Sequence, residues 1–315
     1  MTGESNIAPQ AAAILREVMH FSEAFALAAS PKPEPGSQAE QEMYHHSEVG
    51  ADGQPWSSKP ARTPYDVAGG LMLFAAGQYV GSLAQLFTDE MALFGFQAAA
   101  RSLVEVTARA WWILSPEIDI RERLARSFVE QWYSLQELAK VDIAAGRPKA
   151  ENGARALKFR ADAALLGIDE KRDKNGHLIG FGGLTRPAST TLIPKFLGSF
   201  GQAQGELWYR FVSGVTHSAL FGVMNYVDTS QADTQTGLLK LAPRLPVIAV
   251  VNIGVLAVTA YLGAIERHAT LYGRDSEQLH GMRMTAVAEL FDLIRNLNEE
   301  AQAVPPSSPL WFVKY

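Results

Sequence analysis

Apolar residues recur at helical spacing through most of this chain. Near its start, Ile14, Val18, Phe21 and Phe25 lie three or four residues apart, which places them on one face of an α-helix that ends near Ser30. The same spacing, with prolines and glycines at the boundaries, predicts further helices. They cover about 65–88, 90–114, 118–145, 149–166, 189–200, 203–227 and 246–272, and a last helix capped by Asp275 or Ser276 that ends near 302.

Strand patterns are few in this sequence. Short strands are predicted at Leu178–Phe181 and Leu238–Leu241. Strands and helices do not alternate along the chain, which argues against a doubly wound sheet. The predicted fold class is therefore all-α, in the form of a multi-helix bundle.

One predicted helix contains an uncharged stretch of 21 residues, from Leu245 to Ile265. A membrane-spanning helix needs about 20 such residues. However, Ala, Val and Gly dominate the stretch, Asn252 lies within it, and no second span follows. We therefore predict a central helix that is buried on all sides in the bundle, and no membrane insertion.

The prolines divide the chain into four predicted units. These are an N-terminal helix in 1–30, a Pro-rich linker at 31–64, a helical domain at 65–303 and a C-terminal tail at 304–315. The linker holds six prolines and is expected to be irregular and flexible. Pro64 is predicted as the first helical residue of the domain with Thr63 as N-cap, and Trp311 and Phe312 are expected to dock the tail on the body.

Composition and charge exclude several classes of function. The 315 residues include no cysteine, which excludes disulfides, thiolate metal sites and cysteine nucleophiles. The formal net charge is −5, so a broad nucleic-acid groove is not expected. Residues 101–186 nevertheless carry 15 basic and 12 acidic residues, which allows a local anion site. The N-terminus lacks a secretory signal, and a cytoplasmic protein is expected.

Familiar cofactor and metal motifs are missing from the sequence. It has no GxxxxGK[ST], GxSxG or HExxH, and GFGG at 180–183 precedes no predicted helix. Glu-x-x-His pairs occur at Glu42 and His45 and at Glu277 and His280. A di-iron site needs such pairs on facing helices of a bundle, and these are interpreted as solvated surface pairs. We therefore predict no cofactor and no metal.

The second helix of the predicted domain carries a polar stripe. Arg101, Glu105 and Arg109 are each four residues apart, and Trp112 follows on the same face. One interpretation is a surface ladder worth a few tenths of a kcal/mol per pair. The other is an anion-binding site in which Glu105 positions the two guanidinium groups.

A second polar face lies on the predicted helix 203–227. Arg210, Ser213 and His217 follow at steps of three and four residues, beside Trp208 and Tyr209. A histidine can exchange a proton with a ribose hydroxyl near neutral pH, and an arginine can bind a phosphate. The alternative is a buried structural histidine with Arg210 as an ion-pair partner.

The pairing of Arg210 and His217, separated by six residues, resembles the Arg-x4–6-His signature of the HEPN superfamily. These are compact helical domains, and many are metal-independent endoribonucleases. The resemblance implies that Arg210 and His217 act on RNA, and Ser213, on the same helix face, is placed to orient either of them. Phe211 departs from the pattern, because a polar residue commonly follows the HEPN arginine. The wider chain from about 65 to 230 also resembles uncharacterised actinobacterial helical proteins.

Three functional hypotheses follow from these patterns. The first is a HEPN-like protein that binds or cleaves RNA, or binds a small phosphate-bearing ligand. The second is a small-molecule binder or enzyme with a pocket lined by aromatic residues such as Trp112 or Trp208, with the loop 168–187 as a lid. The third is a non-catalytic interaction or regulatory protein that uses the linker and tail as partner segments and forms a homodimer through helix faces.

The two polar faces are expected to meet in the folded chain. A buried Arg or Glu is costly unless it is paired. We therefore expect Glu105 to face Arg210 or His217 across one helix interface.

Overall fold

The computed structural model describes residues 7–88, 95–201, 205–216, 227–232, 239–243 and 246–301. Its helices are α1 (Ile7–Ala28), α2 (Gln38–Tyr44), α3 (Ser58–Tyr65), a π-helical segment (Asp66–Met72), α4 (Leu73–Leu86), α5 (Gly95–Ile113), α6 (Ile120–Ala144), α7 (Lys149–Leu165), α8 (Ser189–Gly198), α9 (Gly205–Thr216), α10 (Val247–Leu271) and α11 (Glu277–Ala301). The strands are β1 (Glu170–Arg172), β2 (Leu178–Phe181), β3 (Leu184–Thr185), β4 (Val227–Ala232) and β5 (Leu239–Pro243). The predicted all-α multi-helix bundle is confirmed.

The helix α10 is the centre of the bundle, as predicted. It packs against α1, α4, α5 and α11, and most of its side chains are buried. Two of its glycines allow close approach of neighbouring helices: a Cβ on Gly254 would lie 2.9 Å from Leu290, and one on Gly263 would lie 2.5 Å from Phe200. Apolar burial around α10 is thus the main source of stability in this part of the fold.

Two helices of the described residues are long and apolar enough to cross a membrane. One spans Val247–Leu271, and 83% of its most apolar window is buried inside the protein. The other spans Ser58–Leu86, and 33% of its window is buried. The core helix of a soluble protein has the same length and composition, so this test by itself does not place the chain in a membrane or outside one.

Most of the segment 31–64 is irregular, as predicted, but the prediction missed two helical stretches, α2 and the start of α3. Ser37 caps α2 by accepting a hydrogen bond from the Glu40 amide. Met43 and Trp56 are buried in a second apolar cluster, formed with α5 and α6. Four of the six prolines, at 31, 33, 35 and 55, lie outside the helices, where a missing amide proton costs little.

The helix that follows this segment does not begin at Pro64. It begins at Ser58 with Ser57 as N-cap, and Pro64 lies inside it. The predicted start was wrong because the fixed φ of proline also fits a helix interior where one hydrogen bond is given up. Directly after Pro64 the chain changes to π-helical geometry over Asp66–Met72, before the regular helix α4.

The π-helical segment packs against a half-buried histidine of α10, His268. A Cβ on Gly69 would lie 2.4 Å from His268 Nε2, so glycine allows the ring to approach the backbone. The Tyr272 ring lies on its other side, with a centroid distance of 4.3 Å. Burial, with the charge of Arg274 as a second cause, lowers the pKa of His268 to about 4. His268 is therefore neutral at pH 7.

We expect the free energy of unfolding to fall by up to about 3 kcal/mol as the pH is lowered from about 6.5 to 4. In this window the unfolded chain binds a proton at His268 and the folded chain does not, so acid favours unfolding. The variant His268→Gln cannot bind this proton. Urea unfolding of the wild type and of His268→Gln at pH 7.5 and 4.5 measures the effect. If the difference in free energy of unfolding between the two proteins is the same at both pH values, the prediction is wrong.

The chain between 168 and 187 forms a small antiparallel sheet in the order β1-β2-β3. The predicted strand Leu178–Phe181 is confirmed as β2. Its pairing with β3 places Gly180 opposite Thr185, and Phe181 is buried against α6. This segment was expected to be a Gly-rich loop and a lid, but strand pairing holds most of it against the body.

The predicted helix 203–227 is confirmed over Gly205–Thr216, which α9 covers, and residues 217–226 lie outside the described residues. Residue 227 cannot belong to that helix because it begins β4, which pairs with β5. The predicted strand Leu238–Leu241 overlaps β5. The tail with Trp311 and Phe312 lies outside the described residues.

Candidate functional site

The polar stripe of α5 meets α9 through one carboxylate. Arg101 donates to Glu105 Oε1 over 3.0 Å, and the Tyr209 hydroxyl donates to the same oxygen over 3.2 Å. The Arg101 guanidinium also lies 6.0 Å from the centroid of the Tyr209 ring. Tyr209 is buried, so these contacts fix the rotation of α9 about its own axis.

Arg109 does not extend this ladder, contrary to the first interpretation of the stripe. Its side chain is buried and donates to Glu130 Oε1 of α6 over 2.7 Å and to the Ser189 hydroxyl over 3.1 Å. The second oxygen of Glu130 accepts from Arg186 over 2.9 Å. Arg109 is therefore a structural residue that joins α5, α6 and the start of α8. It does not bind Glu105, although Glu105 precedes it by four residues.

Glu130 and Arg186 were not identified from the sequence. Glu130 follows Phe128 and Val129 on α6 and is only 4% exposed. A charged residue on the apolar face of a predicted helix could have indicated that Glu130 has a buried partner. Arg186 lies over the Tyr133 ring at 3.5 Å from the centroid. Arg186 and its partner Glu130 are far apart in the sequence, so the spacing of residues along a single helix cannot indicate this pair.

Arg210 lies on the solvent side of α9. It forms an ion pair with Glu206, one turn earlier, at 2.7 Å, and 69% of its side chain is exposed. Between the described residues Glu105 and Arg210 no hydrogen bond or ion pair is formed, so this part of the expected meeting of the two faces is wrong. Neighbouring positions on a helix differ by about 100°, and Tyr209 takes the place facing Glu105.

The remaining residues predicted for this face are Ser213, His217 and Trp208. Ser213 is half-buried, three residues after Arg210. His217 lies outside the described residues, and so does the side chain of Trp208. The expected contact between His217 and Glu105 therefore stays a prediction.

The aromatic residues mostly fill the interior of the protein. Trp111 packs on Phe196 with a centroid distance of 5.8 Å, and Trp132 stacks on Phe159 at 6.1 Å. Trp112 is half-buried, and the Arg126 guanidinium lies 5.2 Å from its ring centroid. A shallow groove between α6 and α7 is lined by Trp132, Leu135, Gln136, Leu138, Ala139, Asn152, Arg155 and Ala156. Trp112 does not line this groove.

A second charged network, missed in the sequence, lies in the centre of the other apolar cluster. The Arg123 guanidinium is fully buried and binds both oxygens of Glu42, at 2.7 and 3.0 Å. It also donates to the Ile113 carbonyl oxygen over 2.9 Å. The Tyr65 hydroxyl donates to Glu42 over 2.7 Å, and burial raises the pKa of Tyr65. With its charges paired, this network holds α2 and α3 against α6.

The two Glu-x-x-His pairs do not form a metal centre in the described residues. Glu42 is bound to Arg123, while His45 contacts Glu40 at 2.8 Å. His280 lies 3.8 Å from Glu266, which also binds Arg283. Among the residues that the structure describes, no group of three or more His, Asp or Glu side chains is arranged to hold a metal ion.

The arrangement offers one exposed cation on a fixed helix, with a half-buried hydroxyl one turn away. Comparisons with protein-family models, with curated proteins and with solved structures find no match to this chain. The resemblance to HEPN domains therefore rests on the sequence pattern of Arg210 and His217.

Proposed function

We propose that this chain binds RNA through the exposed face of α9 and cleaves it without a metal ion. The observation that carries the proposal is the position of Arg210. Its guanidinium is exposed and, among the described residues, forms a surface pair with Glu206, which a phosphate can replace at little cost. The Tyr209–Glu105 contact holds the helix in this orientation.

The chemistry follows from the two residue types of the HEPN-like pattern. His217 takes the proton from a ribose 2′-hydroxyl, and the resulting oxygen attacks the adjacent phosphorus. The bond from phosphorus to the 5′-oxygen breaks, and this oxygen takes up the proton that His217 removed, directly or through water, which leaves a 2′,3′-cyclic phosphate and a 5′-hydroxyl end. Arg210 balances the charge that grows on the phosphate. The same proposal places the protein in the cytoplasm, where RNA is available.

We expect the wild type to cleave single-stranded RNA in the presence of EDTA, and His217→Ala to reduce the rate by about 10²–10⁴-fold, the usual contribution of a general base. Arg210→Ala should reduce both RNA binding and cleavage. Arg62→Ala is the matched control, because Arg62 is also an exposed arginine paired at four residues' distance, with Asp66.

Gel analysis of a labelled RNA, with detection of the cyclic phosphate end, measures this prediction. Absence of cleavage by pure wild type, or equal rates for wild type and His217→Ala, would show that the proposed activity is wrong. Equal losses in Arg62→Ala and Arg210→Ala would show that Arg210 acts only through the overall charge of the surface.

A further inference from the structure

The helix α7 has two apolar faces, and only one of them is covered in the described protein. Phe159 and Ala163 pack towards α6. The other face consists of Ala150, Ala154, Leu157, Ala161, Ala164 and Leu165, all exposed. Leu157 is 64% and Leu165 59% exposed. Leu157 and Phe159 are two residues apart and therefore about 200° apart around the helix, so the exposed face points away from α6.

The exposed face has the spacing of a coiled-coil seam. From Ala150 the steps to Ala154, Leu157, Ala161 and Ala164 are four, three, four and three residues. This is the alternation of the a and d positions in a heptad repeat. A helix that is apolar on both sides is typical of a helix that is buried between two neighbours, and here the described protein supplies one of them.

The charges beside this seam indicate what the second neighbour is. The e positions are Glu151, Lys158 and Leu165, and the two charged ones, Glu151 and Lys158, are both exposed. In an antiparallel pair of α7 helices, a and d layers form when Ala154 faces Leu157 of the other copy. That same register places Glu151 of each copy beside Lys158 of the other. A parallel pair would place Glu151 beside the position of Gly146 and would form no such ion pair.

We propose that α7 pairs antiparallel with α7 of a second copy of this chain. The apolar seam allows registers that differ by seven residues, and the charges select this one among them, which gives a self-complementary two-fold interface. The proposal uses none of the residues assigned to RNA, and it does not depend on that function.

Gly153 supports the pairing. A glycine inside a helix costs roughly 1 kcal/mol relative to alanine, yet a Cβ on Gly153 would meet nothing within 4 Å in the described protein. It lies at a g position beside the seam. In the proposed pair, Gly153 lies beside Arg160 of the other copy. The close approach of that helix explains why a residue without a side chain occupies position 153.

The expected dimer is weak. The helix has 17 residues and is therefore about 25 Å long, and most seam residues are alanines. An interface of this size falls below the standard size of stable complexes, so a dissociation constant above about 1 µM is expected. Sedimentation velocity of the full chain from about 1 to 300 µM covers this range.

Two sets of variants test the interface. Leu157→Asp should increase the dissociation constant at least about 10-fold, and far-UV circular dichroism should stay unchanged because Leu157 is exposed in the single chain. Glu151→Lys and Lys158→Glu should each weaken the dimer about 5- to 10-fold by placing like charges together. The double variant restores the opposite charges and should return to within about 3-fold of the wild type.

Cross-linking tests the orientation, because the chain has no cysteine of its own. A mixture of Ala150→Cys and Ala161→Cys proteins should form a disulfide-linked heterodimer under mild oxidation. Ala150→Cys alone should not, since its two copies lie about 16 Å apart in the antiparallel register. A monomer at all concentrations, failure of the charge reversal to restore the dimer, or efficient linking of Ala150→Cys to itself would overturn the proposal.

Discussion

Replacing Arg123 with methionine is expected to lower the free energy of unfolding by about 3–5 kcal/mol. The change leaves Glu42 as an unpaired charge in a site where its carboxylate accepts from Arg123 and Tyr65. It also removes the donor to the Ile113 carbonyl oxygen. Urea unfolding at pH 7.5 measures the effect.

The control for this variant is Arg62→Met. Arg62 forms an exposed ion pair with Asp66, so its replacement should change the free energy of unfolding by less than about 1 kcal/mol. The double variant Arg123→Met with Glu42→Met removes both charges and should recover much of the loss, because a buried pair replaced by apolar residues is often neutral. Equal effects of Arg123→Met and Arg62→Met on the free energy of unfolding would show that the buried network stabilises the fold no more than an exposed ion pair does.

Replacing Glu130 with alanine is expected to cost about 3–5 kcal/mol, since it leaves the buried Arg109 without its carboxylate and removes the partner of Arg186. The sheet that precedes α8 should loosen as well, because Arg186 connects β3 to α6. Hydrogen exchange of the amides in β2 and β3 reports this local effect separately from global stability.

The matched variant lies on the same helix. Glu137→Ala breaks an exposed pair with Lys140, so we expect a change within about 0.5 kcal/mol. If Glu130→Ala were equally mild, the carboxylate would not be the connection between α5, α6 and α8 that the structure indicates.

The helices themselves could largely be predicted from the sequence. Periodicity placed α5 to α8 and α10 within a few residues of their observed bounds, because the 3.6-residue repeat of apolar side chains is a local property. The central position of α10 followed from its uncharged composition. The heptad spacing on α7 is equally local, although its exposure became visible only when the structure showed which face α6 covers.

The proline-rich segment shows where local reasoning fails. Prolines indicate irregular chain, but Glu42 in this segment is the partner of the buried Arg123, 81 residues later. A long-range ion pair compensates for weak local propensity, and sequence spacing carries no information about it.

The candidate site was predicted in part. Arg101 and Glu105 do pair along α5, as the four-residue spacing indicates. Which residue of α9 reaches Glu105 was not predictable, because it depends on the rotation of one helix against another. Tyr209 faces it, and Arg210, one position later, is turned to solvent.

The sequence by itself determined the fold class, the helices and their apolar faces, since these depend on residues a few positions apart. Only the tertiary structure decided how the charges are used. Arg109 became a buried structural partner of Glu130, while Arg210 stayed exposed in a surface pair with Glu206. The physical reason is that the cost of burying a charge depends on partners from distant segments, and packing of the whole chain selects them.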